Sequence, residues 1–401
     1  MTTLSPTRRL SRQRGCGVNR RALARPDGGV IAAFDGLRGA LAWWVVLGHI
    51  SHTIGLGEGR FGATLSALLR ANLIAVDVFI ILSGFVILRL LDLSRPALGA
   101  YLAQRAFRLF PLYLCVLALS VAALPMMQTA LTMTPFETGR NALRLAQVES
   151  GVTNLGAHLL THLPLLQGAV PHHLLPHTAY TLVGQAWSVS LEWQFYLLAP
   201  LCLIALRSGW RLGVLGAVLL GASALPGFES GFIGRAWPMF AVGMATYLWA
   251  RDGGMWPGIG LALAAGAALV LVSPRVGAGV ILWGGVCLSV MGAGGLGWIA
   301  KGLSARALRT QGARSYSIYL THMLPLYAVM WGAAALGVEP SGQAVALWIG
   351  TVAGTAALSV LTYRGIERPG IAMGRWLTSG SASAAASSVP ATGASGVVPR
   401  P

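Results

Sequence analysis

FDGLRGALAWWVVLGHISH, residues 34–52, is apolar over nearly its whole length yet holds an arginine and a histidine inside the apolar run. About 20 apolar residues are enough to carry a helix across the hydrocarbon core of a bilayer. Working outward from this stretch, the same reading recurs along the chain and predicts ten spans, at 36–55, 71–91, 109–127, 187–206, 211–226, 232–250, 257–273, 277–298, 316–336 and 344–363. The fifth and seventh are short and rich in glycine. Composition agrees: 55% of the 401 residues are apolar and 10% are charged, against about 25% charged in a soluble domain. So few charges cannot cover the surface of a soluble chain of this length. The expected fold class is all-α, a polytopic membrane helix bundle of about ten transmembrane helices.

The net charge of +17 raises the possibility of a nucleic-acid partner, but the pattern speaks against it. The basic residues, all arginine except Lys301, recur in short clusters between apolar runs and form no single face with interleaved aromatics. Clusters at 8–25, 89–108, 301–314 and 364–375 fall on one side if the N-terminus is inside, which places both termini in the cytoplasm and the protein in the cell inner membrane. Residues 1–33 read as a disordered basic arm, 34–376 as the transmembrane domain, and 377–401 as a disordered Ala, Ser, Gly and Pro tail. Cys16, Cys115, Cys202 and Cys287 form no CxxC pair and read as small apolar residues. The five histidines of the long 128–186 connection, His158, His162, His172, His173 and His177, lack metal-ligand spacing, so no metal site is expected.

Ionisable side chains inside membrane helices are costly and ask for a function. Arg38 and His49 are eleven residues apart, three helical turns plus about 20°, so they share a face and sit roughly 16 Å apart along the axis. The second span carries Asp77 in AVDVFIILSGFVI, residues 75–87, able to orient His49 or to pair with another helix; Ser83 and Gly84 there suit close helix packing. QRAFRLFPLY, residues 104–113, presents Arg105 and Arg108 on one face, a pair of forks suited to phosphate groups. QAWSVSLEWQFYLLAPL, residues 185–201, holds Glu192 with Ser188 and Tyr196 on its face and Trp187 and Trp193 beside it, which suits a sugar hydroxyl, a role behind His49, or a brace to an arginine. SYSIYLTHM, residues 315–323, puts Tyr319 and His322 on one face. Glu367 in YRGIERP, residues 363–369, reads as a surface partner of Arg364 or Arg368.

Taken in this order, the segments FDGLRG…GH, VDVFIILSGF, QRAFRLFPLY, WSVSLEWQFYLLAPL, SYSIYLTH and YRGIERP, spread over residues 34–369, resemble the acyltransferase 3 family of integral membrane acyltransferases. The resemblance implies a ten-helix bundle that moves an acetyl or other short acyl group from acyl-CoA to a hydroxyl. The acceptors it implies are sugars of exopolysaccharide, lipopolysaccharide or peptidoglycan, sometimes macrolides. The family's basic-residue-and-histidine motif falls on Arg38 and His49 and its paired arginines on Arg105 and Arg108, while its WSLSVE segment stands here as WSVSLE and keeps Glu192. On this reading His49 is the catalytic group, supported by Asp77 or Glu192. Arg38, Arg105 and Arg108 bind acyl-CoA, acetyl-CoA in the simplest case, and no cofactor is permanently bound. Trp187, Ser188, Tyr196, Tyr319 and His322 meet the acceptor, and contacts with polysaccharide biosynthesis proteins are implied. A transporter or flippase of a lipid-linked sugar would also want intramembrane charges, but the two halves show no inverted repeat.

Overall fold

The structure, a computed structural model, describes residues 28–56, 63–206, 209–252, 273–292 and 295–387. Among these residues there are helices and connecting turns and no strand. In chain order the helices are α1 (Gly28–Thr53), α2 (Ala63–Arg70), α3 (Leu73–Ser94), α4 (Leu98–Ala122), α5 (Leu124–Met133), α6 (Gly139–Thr153), α7 (Leu155–His162) and α8 (Trp187–Ala205). They continue as α9 (Gly209–Ser223), α10 (Ile233–Asp252), α11 (Pro274–Val290), α12 (Gly297–Leu303), α13 (Arg306–Ala313), α14 (Ser315–Thr321), α15 (Met323–Ala335), α16 (Pro340–Thr362) and α17 (Arg368–Ser387). Among the described residues, six helical runs are long and apolar enough to cross a membrane: Val30–Thr53, Leu73–Ser94, Leu98–Ala122, Gly184–Ala205, Ser315–Ala335 and Pro340–Ser379. The fifth and eighth expected spans correspond to the shorter apolar helices α9 and α11, the sixth to α10, and the seventh lies outside the described residues.

Three boundaries differ from the sequence reading. Helix α1 begins at Gly28, ahead of residue 34, because Val30, Ala32 and Ala33 are buried and extend the packed face. Helix α4 begins at Leu98 rather than at 109 and runs straight through Pro111, so Arg105 and Arg108 lie inside it and not before it. Membrane helices tolerate such a proline when neighbouring helices satisfy the freed carbonyl. Helix α17 continues to Ser387, past the expected start of the tail at 377, while residues 1–27 and 388–401 lie outside the described residues.

The bundle is built around α1, which touches α2, α3, α6, α12, α13, α14 and α16. Two close crossings set its geometry. A Cβ added to Gly84 on α3 would strike the carbonyl of Phe240 on α10, and one added to Gly243 on α10 would strike the carbonyl of Ile81. Reciprocal glycines thus let these two backbones meet, as small residues do at membrane helix crossings. Tyr247 and Arg251 of α10 close the end of the same crossing, donating to Asp92 of α3 at 2.7 and 2.6 Å. The ninth expected span is broken at His322, between α14 and α15. Pro325 has no N–H to give the Thr321 carbonyl, so the ladder is interrupted there. The break leaves His322, which no solvent reaches, in the middle of the bundle.

Candidate active site

Two cavities lie back to back along α1. The first, about 210 Å³, is lined by Arg38, Arg105, Arg108, Glu192, Ser188 and Tyr196, among others. Arg38 sits 3.6 Å from Asp35 one turn earlier on α1. Helix α4 carries Arg105 over the Tyr196 ring at 5.8 Å, and places Arg108 in the field of Glu192 and Glu367. Glu192 accepts the Tyr196 hydroxyl one turn along α8. The Arg105 Nε is buried without a partner. Three guanidinium groups therefore converge on one space, with one carboxylate among the lining residues.

Glu367 is not at the surface with Arg364 or Arg368. It is buried, and accepts the Ser317 hydroxyl at 2.6 Å. The cause is local: Tyr363–Glu367 forms a π-helical turn that swings the carboxylate inward, a distortion common near functional sites.

The second cavity, about 270 Å³, holds His49 at the other end of the α1 face, with His52, Arg140, Arg144, Arg275 and Trp187. Neither expected carboxylate stands behind His49. Asp77 is paired with Arg275 at 3.1 Å, and Glu192 belongs to the first cavity. The partner of His49 is Arg144, whose Nη2 donates to Nδ1 at 2.9 Å. Its Nη1 donates to the Thr53 hydroxyl at 2.7 Å, and Asn141 on the same helix fixes Thr53 by donating to its carbonyl at 2.9 Å. Arg144 is only 5% exposed. Burial, and then the neighbouring Arg140 cation, push its guanidinium down from the ordinary arginine value.

His322 packs its ring 5.0 Å from the His49 ring. Its Nδ1 donates to the Tyr319 carbonyl at 2.6 Å, so its lone pair is on Nε2, which is buried without a partner. Tyr319 and Val76 line both cavities and form their shared wall. The Tyr319 hydroxyl donates to the Gln185 carbonyl at 2.9 Å and meets the Ser188 hydroxyl at 2.6 Å. Trp187 faces the second cavity beside Tyr180, whereas Trp193 packs on Phe110 away from both.

Arg144 is the functional candidate that the sequence reading missed. It lies in the 128–186 connection between expected spans, and its one signal in the sequence is the repeat of Arg140 and Arg144 one turn apart on a short amphipathic segment. The connection carrying the five histidines is helical in part, as α5, α6 and α7. His158 and His162 are buried posts there, bonded to Thr181 and Ser150. His172, His177 and Glu229 bring ligand atoms within 4.8 Å of one another, a set that could hold a metal ion and that linear spacing hid.

The fold and the cavities define a multi-pass membrane protein with a basic chamber set against a histidine chamber. The family model described as an acyltransferase domain matches residues 31–364, and the chain belongs to this acyltransferase 3 family. It is a membrane acyltransferase. None of the curated proteins and none of the solved structures matches it.

Proposed function

We propose that the protein is an O-acyltransferase of the cell inner membrane, moving an acetyl or other short acyl group from acyl-CoA to a hydroxyl, most simply of a sugar in an exopolysaccharide, lipopolysaccharide or related glycan. The observation that carries the reading is the pairing of a three-arginine cavity with a histidine cavity across one shared wall. Guanidinium forks suit phosphate oxygens, so Arg38, Arg105 and Arg108 hold the phosphates of the donor. The pantetheine arm then carries the thioester past Tyr319 toward His49. Sugar hydroxyls meet Trp187 or Tyr319, whereas Ser188 and Tyr196, expected beside them, line the arginine cavity instead.

In the second cavity the acceptor hydroxyl displaces the Arg144 guanidinium from His49 Nδ1. His49 takes the hydroxyl proton at that nitrogen while the oxygen attacks the thioester carbon. The displaced guanidinium stabilises the oxyanion of the tetrahedral intermediate. Collapse breaks the C–S bond, and the imidazolium returns its proton to the leaving sulfur, giving CoA thiol and ester. His322, its ring 5.0 Å from that of His49 and its Nε2 without a partner, is the group next to the His49 ring, where other histidine bases have a carboxylate. Direct transfer is the shorter route, and an acyl-histidine is its rival; rapid-quench labelling without acceptor separates them, since persistent label on the protein would establish the covalent path.

Steady-state kinetics with each substrate varied tests the donor assignment. Arg105→Ala and Arg108→Ala are expected to raise the KM for acyl-CoA by more than that for the acceptor. An unchanged dependence on acyl-CoA sinks it. A transporter of a lipid-linked sugar would release no CoA at all.

A further inference from the structure

The histidine cavity has a charge imbalance that the acyl-transfer reading does not use. Arg140, Arg144 and Arg275 line it together with His49 and His52, and no Asp or Glu lines it among the described residues. Arg275 is matched by Asp77 at 3.1 Å. Arg144 has only the neutral partners Thr53, Asn141 and His49. Arg140, exposed on the first turn of α6, forms no ion pair among the described residues. Among the described residues the other nearby carboxylates form no ion pair with it: Glu229 meets His172 through one oxygen at 3.2 Å and lies outside the cavity lining, and Glu137 and Glu149 are exposed and outside it too.

Arg144 is the one taken out of water, and burial is costly for a charge without a counter-charge, so the cavity that Arg140 borders favours an anion. Arg140 and Arg144 are four residues apart on one helix, so they share a face one turn apart. The deeper one is engaged at His49, and the outer one stands free at the cavity, about 6 Å further along the helix axis. An acceptor that spans this distance can put its hydroxyl at His49 and an anionic group at Arg140.

We propose that the acceptor is an acidic glycan unit, whose carboxylate or phosphate is held by Arg140 while its hydroxyl is delivered to His49. This rests on the reading of the second cavity as the acceptor site. A neutral sugar would leave the positive cavity without a counter-charge, and an acidic one supplies the charge-assisted hydrogen bonds that arginine forms with oxyanions.

The test uses the full-length protein in lipid nanodiscs and three probes: methyl glucuronide, glucose 6-phosphate and methyl glucoside. Binding is measured at low salt, then at 0.5 M salt, for the wild type, Arg140→Gln and Arg140→Lys. At least one acidic probe is expected to bind about tenfold or more tightly than the neutral one, with the glucuronide and phosphate arms showing which anion is preferred. Arg140→Gln is expected to remove that preference, Arg140→Lys to keep part of it, and salt to weaken it. Equal binding of acidic and neutral probes, binding of none of them, or a preference untouched by Arg140→Gln would each overturn the proposal. CoA release from acyl-CoA is followed in parallel. Its absence would defeat the acyl-transfer reading, whereas CoA release without an acidic preference would defeat only the present inference.

Discussion

At the scale of single residues, the proposed chemistry turns on what touches His49. The spacing of Arg38 and His49 puts both on one face of α1, and this much was legible, because helical periodicity depends only on sequence distance. The group that holds His49 was not legible. Arg144 lies 95 positions away, in a segment whose arginines look like ordinary interfacial charges. Only the packing of α6 against α1 brings it to Nδ1. Replacing Arg144 with Ala is expected to lower kcat by about 10²-fold, the usual loss when one oxyanion-stabilising donor is removed. A melting curve in detergent separates this from unfolding, and an unchanged kcat in a folded variant would refute the role. His322 is a positioning residue on the same account. His322→Gln is expected to lower kcat with little change in either KM and to shift the pH profile of kcat. A loss confined to KM would place it in binding instead.

At the scale of elements, the apolar helices were legible and their ends were not. The third span is expected from residue 109, but Arg105 and Arg108 lie within α4, where Tyr196 meets Arg105 and Glu192 and Glu367 act on Arg108. Local propensity undervalued a helix that tertiary contacts complete. The same limit hid the break at His322, which a proline three residues downstream imposes. Close crossings depend on glycines that a sequence reading can notice without knowing what they face. Gly84 faces the Phe240 carbonyl, and Gly243 faces that of Ile81. Gly243→Ala is expected to destabilise the α3–α10 crossing by about 1–3 kcal/mol, as overpacking of a close-packed site does, and to lower the thermal midpoint in detergent. A midpoint equal to that of the wild type would mean that the two backbones do not approach as described.

At the scale of the whole molecule, the two cavities meet at a wall made in part by Tyr319 and Val76. On the proposed reading this wall limits the opening between the donor and acceptor sides to the width of the pantetheine arm while the hydroxyl of Tyr319 is tied to Ser188 and Gln185. Tyr319→Phe removes both ties and is expected to raise acyl-CoA hydrolysis in the absence of acceptor by several-fold relative to transfer. Hydrolysis that stays at the wild-type level would show that the hydroxyl does not seal the wall. No property of the linear sequence announces a shared wall, because Val76, Ser188 and Tyr319 come from three different helices.

The measurement closest to the central claim is acyl transfer by the purified full-length protein in lipid nanodiscs, supplied with radiolabelled acetyl-CoA and glycan acceptors. Label on the acceptor and free CoA thiol are expected in equal amounts from the wild type, with the His49→Gln variant at least about 10²-fold slower while still folded. Wild-type protein that releases no CoA, or a His49→Gln variant that transfers label as fast as the wild type, would contradict the account.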